Sequence, residues 1–181
     1  TLSADQVRAV TRAVDVVSRA QVSVFASTLE RDYVLDDPIG LSTDQRTPAD
    51  RFTAAPLSQV AGLGVTSMPL HVPDPRVAEA LARGLEDMVD GVSCTRSTAF
   101  VDVTAAGESK GTGLGRLAAL LAERGQEMSE VAAVGDSWND ISMFECADVS
   151  YAIDGAPDVV VEAAGGRTTP SVAALIDALM A

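Results

Sequence analysis

Lysine is almost missing from this chain: one residue, Lys110, stands against twelve arginines. Histidine occurs once, at His71, cysteine twice, at Cys94 and Cys146, and aromatic residues make up only 4%. Each shortage excludes something. Two cysteines in separate elements give neither a metal-site spacing nor a disulfide framework, so both are expected to be buried thiols in a reducing, cytoplasmic setting. A single histidine, in Pro69-Leu70-His71-Val72-Pro73, reads as a structural residue at a strand end and not as a catalyst. No apolar run approaches the roughly 18 residues of a membrane span, and the first residues lack the basic-then-apolar order of a signal peptide. Cations are scarce overall: the formal net charge is −13, which repels a phosphate backbone and excludes nucleic acid as a partner.

What is present is a chain of 181 residues, 47% of them hydrophobic. That suits one ordinary domain or two small ones with a core of Ala, Val and Leu. Val7, Val10, Val14 and Val17 recur at helical spacing, predicting a helix over Ser3–Arg19 with Ser3 and Gln6 as a capping box. Strands are expected at Gln21–Ser27, Asp32–Leu35 and Gly64–Val72, a turn-rich loop from Asp36 to Pro56, and a helix over Val77–Met88. Gly91–Arg96 and Thr98–Thr104 read as a hairpin. This first part has the pattern of an α+β unit with an antiparallel sheet.

From Gly107 the pattern changes. Lys110–Glu123 is expected to be an amphipathic helix, with Leu114, Leu117, Leu120 and Leu121 on one side. Glu130–Val134 and Val149–Ile153 read as strands, and Asn139–Cys146, Ala156–Ala164 and Ser171–Ala181 as helices. Such alternation predicts a parallel sheet with right-handed crossovers, so the fold class is α/β with an α+β first part.

Two motifs carry chemistry. The lone ammonium lies in Glu108-Ser109-Lys110-Gly111, where a compact point charge suits a phosphate in a way guanidinium does not. One helix and one strand later comes Val134-Gly135-Asp136-Ser137-Trp138-Asn139-Asp140. Ligands of open α/β sheets bind outside the carboxyl ends of strands, which is where Asp136 falls. Gly135 permits a sharp turn there, Ser137 is positioned to cap the following helix, and Asp136 with Asp140 could converge on one magnesium ion.

Together these residues resemble the haloacid dehalogenase-like phosphatases. Gly135-Asp136-Ser137-Trp138-Asn139-Asp140 with Met143 is similar to their fourth motif, and Ser109-Lys110-Gly111 to their third. Ala152-Ile153-Asp154-Gly155-Ala156-Pro157 is similar to the turn after the metal motif in the Cof-like sugar-phosphate branch. The resemblance implies a magnesium-dependent phosphomonoesterase that acts on a small phosphorylated metabolite, a sugar phosphate, through an aspartyl-phosphate. It gives Lys110 the role of the catalytic lysine, Asp136 a direct metal role, Asp140 an outer metal or lysine-orienting role, and Ser137 and Asn139 phosphate or loop contacts. It also implies a cap over residues 1–105 and the C-terminal part of a Rossmann-like core over 106–181.

One departure bears on activity. The family's first motif pairs two aspartates across one residue after a strand, and no two aspartates of this chain are so spaced. Asp102, in Phe100-Val101-Asp102-Val103-Thr104, takes the place of the return from cap to core and reads as structural. The chain thus reads as a cap plus half a core without its nucleophile, inactive alone, with the absent half-core as a partner and an apolar strand edge left open. The alternative is a non-catalytic protein that binds a metabolite or a partner on a decayed phosphatase fold.

Overall fold

The computed structural model describes residues 1–18, 21–41, 52–97, 99–126 and 128–180. It forms two compact units, Thr1–Ala106 and Gly107–Ala181. As the sequence implies, the first holds a mostly antiparallel sheet and the second a parallel one.

In the first unit the elements run α1 (Ala4–Ser18), β1 (Ser23–Ser27), β2 (Asp32–Asp36), β3 (Phe52–Ala54), α2 (Leu57–Val60), β4 (Ser67–His71), α3 (Pro75–Met88), β5 (Val92–Arg96) and β6 (Phe100–Ala105). The strands order as β3-β2-β1-β4-β6-β5. All neighbours are antiparallel except β2 and β3, which pair in parallel from Asp32 opposite Phe52 to Val34 opposite Ala54. The short β3 lies inside the stretch expected to be loop, and residues 42–51 of that stretch lie outside the described residues.

The expected capping box at the chain's start is formed. Ser3 N–H donates to Gln6 Oε1 at 2.8 Å and Gln6 N–H to Ser3 Oγ at 3.2 Å. The same Gln6 side chain donates from Nε2 to the carbonyls of Asp90 and Gly91, at 2.9 and 3.0 Å. Val7, Val10 and Val14 are buried as their spacing requires, while Val17 is left 43% exposed. Helix α3 opens with Pro75 in its first turn and Asp74 accepting from Arg76 N–H at 2.8 Å, both favourable at a helix start.

Alternation along the strands does the sorting between faces. Val24 and Ala26, Met68 and Leu70, Val101 and Val103 join the core with α1 and α3. Burying each larger aliphatic side chain among them contributes roughly 1.5–3 kcal/mol. Phe25, Pro69, Phe100 and Asp102, the alternate residues, stand on the other face. Cys94 packs against the core and burial, reinforced by Glu86, pushes its thiol up to about 12. Cys146, expected to be buried as well, is exposed instead, because it follows a short helix on the rim of the second unit.

The second unit runs α4 (Lys110–Glu123), β7 (Ala132–Gly135), a 3-10 turn (Trp138–Asp140), α5 (Ile141–Phe144), β8 (Val149–Ile153), α6 (Asp158–Ala163), β9 (Thr168–Thr169) and α7 (Val172–Met180). Strands β7, β8 and β9 pair in parallel, with Gly135 opposite Ala152 and Ile153 opposite Thr169. The helix expected over Asn139–Cys146 is divided, a 3-10 turn giving way to one short α-helix. Its core is small: Ala133, Phe144, Ala152, Val160 and Ala164. The leucine face expected of α4 is not packed away, since Leu117 and Leu120 are 51% and 52% exposed. That helix meets its unit at its first turn, where Gly111 is its only buried residue. Among the described residues no helix is long and apolar enough to cross a membrane.

Candidate active site

The carboxyl end of β7 and the amino end of α4 meet in one place. Ser109 caps α4, accepting from Thr112 N–H at 3.1 Å while its own N–H donates to Thr112 Oγ1 at 2.8 Å. Lys110 thereby becomes the first residue of the helix. That is an unfavourable place for a cation, because the helix dipole already concentrates positive charge there.

Asp140 supplies the compensation. Lys110 Nζ donates to Asp140 Oδ1 in an ion pair whose carboxylate side chain is 3% exposed and whose lysine side chain is 49% exposed. The other oxygen, Oδ2, accepts from the backbone N–H of Asp136 at 2.9 Å and of Ser137 at 3.0 Å. One buried carboxylate therefore anchors both the ammonium and the loop that follows β7. Its two oxygens are committed to protein donors. Asp136, by contrast, is exposed at the strand's end.

Two glycines make this closeness possible. A Cβ on Gly135 would stand 2.3 Å from Cβ of Asp140, and one on Gly111 would stand 2.1 Å from the carbonyl oxygen of Ser142. Neither residue has positive φ, so space and not backbone conformation demands glycine at both. Ser142 adds a link that sequence reasoning missed. Its hydroxyl accepts from Gly111 N–H at 3.2 Å and reaches the carbonyl of Asn139 at 3.5 Å, tying the start of α4 to the loop. A serine one residue past Ile141 carries no signal of this in the sequence, since the contact depends on where α4 lands.

Ser137 stands at the N-cap of the 3-10 turn as expected, though not through its hydroxyl. Asp140 serves the loop's N–H groups, and Ser137 Oγ, like Asn139 Oδ1, is shut off from solvent with no hydrogen-bond partner. Both belong to the loop that carries exposed Asp136. Hard oxygen donors of this kind, one carboxylate with neutral oxygens and water, suit magnesium, which commonly takes only one or two carboxylates from protein. Among the described residues no three of His, Cys, Asp or Glu converge on a common point, as a cage for zinc or calcium would require.

The other residues that the sequence singles out lie in the first unit. Asp102 is in β6, paired across to Pro69 and Thr95. His71 stacks on Phe100 with ring centroids 5.0 Å apart. Burial lowers its pKa against the opposing pull of Asp37, and its Nδ1 lacks a partner.

Comparison with known proteins places the chain in a family. Residues 5–173 match the family model of haloacid dehalogenase-like hydrolases. Over 80 residues, 42% of this chain, the sequence is 40% identical to the pyridoxal phosphate phosphatase YbhA of Escherichia coli K12. The fold superposes on the subclass IIB sugar phosphatase BT4131 with a TM-score of 0.71 at 20% identity, covering 93% of this chain. It superposes on SMU.1108c from Streptococcus mutans UA159 with a TM-score of 0.78 at 19% identity, covering 98% of this chain and 68% of that one. The chain spans 28% of the length of YbhA and 61% of that of BT4131.

Proposed function

The chain belongs to the haloacid dehalogenase-like hydrolases, and from that premise we propose that it forms the cap and the C-terminal part of the core of a magnesium-dependent phosphatase. The observation that carries this reading is the placement of Lys110. Its ammonium stands against the field of its own helix, held by buried Asp140 beside exposed Asp136 at the carboxyl end of a parallel strand. A helix built for stability alone would put an acid in that first turn. A cation fixed there suits an incoming phosphoryl group.

In this reading Lys110 binds a phosphoryl oxygen, and Asp140 orients Lys110 and the loop. Asp136, with Ser137 and Asn139 close by, holds magnesium. The ion, when bound, supplies positive charge for the phosphoryl oxygens. Phosphoryl transfer depends mainly on position and charge neutralisation, which these side chains provide. The substrate class is a small phosphomonoester. Sugar phosphates are the class named for BT4131 and pyridoxal phosphate the one named for YbhA.

No pair of aspartates one residue apart occurs in the chain. We therefore read the attacking carboxylate, which would carry the aspartyl-phosphate, as coming from polypeptide outside these residues. Among the described residues, strand β7 is the edge of its sheet. A strand added in parallel to that edge would end level with Asp136, where a nucleophile is needed. Both cysteines remaining as thiols suits a cytoplasmic setting.

The test is magnesium-dependent hydrolysis of 4-nitrophenyl phosphate by the purified chain, alongside binding of orthophosphate, with Asp136→Asn as control. The reading expects no turnover above background, and phosphate binding that needs both magnesium and Asp136. Turnover abolished by the substitution would put the nucleophile inside these residues and refute that part of the reading. Absence of magnesium-dependent phosphate binding would refute the site itself.

A further inference from the structure

Lys110 is held at both ends by one short stretch of chain, Asp140 to Ser142. Asp140 takes the ammonium, and the hydroxyl of Ser142 takes the backbone N–H of Gly111, the residue next to the lysine, at 3.2 Å. The second hold spans 31 residues of sequence, so it belongs to no local capping pattern.

A helix leaves the N–H groups of its first turn without acceptors from within the turn. In α4, Ser109 provides for two of them. Its hydroxyl accepts from Thr112 N–H at 3.1 Å and its carbonyl from Gly113 N–H at 3.0 Å. Gly111 N–H falls between these and takes Ser142 as its acceptor. Gly111 is buried, so water does not replace that hydroxyl, and losing it would leave a polar group unpaired in the interior. The first turn of α4 would have to shift to find another acceptor, and Lys110 would move with it.

The contact is also one of backbone against backbone. A Cβ on Gly111 would stand 2.1 Å from the carbonyl oxygen of Ser142, so no side chain separates the start of α4 from the start of α5. Two residues beyond Ser142, Phe144 is buried in the core of the unit. A rigid line therefore runs from that core through Ser142 to Gly111 and on to Lys110. The lysine needs such a line. Its side chain is flexible and half exposed, and it starts at the positive end of its helix, which drives an ammonium out toward water.

We propose that Ser142 is a positioning residue for Lys110: by fixing the main chain of α4 it sets the ammonium against Asp140 and toward the phosphoryl group. Its hydroxyl is spent on Gly111 and on the carbonyl of Asn139, so it is not itself a catalytic group. The inference rests on the reading of Lys110 as a phosphate ligand and deepens it by naming what keeps the cation in place. Displacing a reacting group by about 1 Å can cost on the order of 10²-fold in rate, which is the leverage a remote hydroxyl has here.

Lys110 is the only lysine of the chain, so labelling lysine with 13C and 15N gives a single side-chain signal. That signal is read without phosphate in the native 181-residue chain, in Ser142→Ala and in Ser142→Thr, and orthophosphate is then titrated with magnesium present. Expected in Ser142→Ala are a lysine signal displaced toward that of a free lysine side chain and phosphate affinity weakened about tenfold, with the amide resonances of β8 and α6 unmoved. Ser142→Thr keeps the hydroxyl and should restore both. A merely structural serine would lower the unfolding midpoint and leave the lysine signal in place. A native lysine signal in Ser142→Ala overturns the proposal. So does a Ser142→Thr signal displaced as far as that of Ser142→Ala, a displacement that extends through β8 and α6, or a displaced lysine with phosphate affinity unchanged. If the native chain binds no phosphate, the reading of the site fails, and the lysine signal alone still decides the role of Ser142.

Discussion

Lys110 and Asp140 are thirty residues apart in sequence and share an ion pair in which the buried partner also binds two backbone N–H groups of the neighbouring loop. The carboxylate thus couples the position of the cation to the position of Asp136. Asp140→Ala should free Lys110 and strand the N–H groups of Asp136 and Ser137. The loss of two charge-assisted bonds should cost roughly 2–3 kcal/mol in urea unfolding. Because the lysine is half exposed, water replaces much of its own loss. In an assembly that carries the nucleophile, Asp140→Asn should lower kcat on the order of 10²-fold, read from steady-state kinetics.

Gly135 and Gly111 should tolerate no side chain. A methyl group at either would overlap Asp140 or the backbone of Ser142, so Gly135→Ala and Gly111→Ala should each destabilise by roughly 2 kcal/mol or more. Gly113, two residues further along α4, faces open space. Gly113→Ala should stabilise by about 0.5–1 kcal/mol through helix propensity. Thermal unfolding of the three variants decides this, and equal effects at all three positions would contradict the packing described.

The lone histidine gives an unambiguous titration. Burial holds His71 below its usual 6.5, with Asp37 pulling the other way. Its neutral form is favoured in the fold, so its contribution to stability is complete above pH 6.5 and is lost as pH falls through the depressed value. The single imidazole Hε1 resonance should show a midpoint below 6.5 in the folded chain and a normal one in urea.

The two thiols should separate by reactivity. At about pH 8 iodoacetamide should modify exposed Cys146 readily and Cys94 only on unfolding, since the Cys94 thiol is pushed up to about 12. A raised thiol pKa favours the protonated form. Stability from this source is therefore full below pH 9 and declines as pH rises toward 12. Mass spectrometry of peptides alkylated before and after denaturation checks the first point, and urea unfolding across that pH range the second.

Features set by short-range spacing were legible in the sequence. The Ser3–Gln6 capping box, the Val7–Val10–Val14 face and the alternation on β4 and β6 follow from neighbours along the chain. Features set by partners far away were not. Strand β3 is three residues long and exists because β2 offers it an edge. Strand β9 has two residues and exists because β8 does. The leucines of α4 showed helical period correctly but not whether anything would cover them. In the site, the spacing of Asp136 and Asp140 suggested two carboxylates facing one ion. Which way Asp140 turns is decided by the tight 3-10 turn and by Lys110 arriving from another helix, and neither is visible in a run of seven letters.

Gln6 joins the first helix to the turn after α3 through bonds spanning 84 and 85 residues of sequence. Neither bond forms until β1, β4, α3 and β5 are close to their final arrangement. Early contacts give the amino-terminal helix little to lean on, and an isolated helix of 15 residues is marginal in water. The first unit therefore depends in part on contacts far apart in sequence. Its refolding should be slow for its size, with the amino-terminal helix docking late and the Gln6 bonds contributing more to the unfolding barrier than to the folding rate.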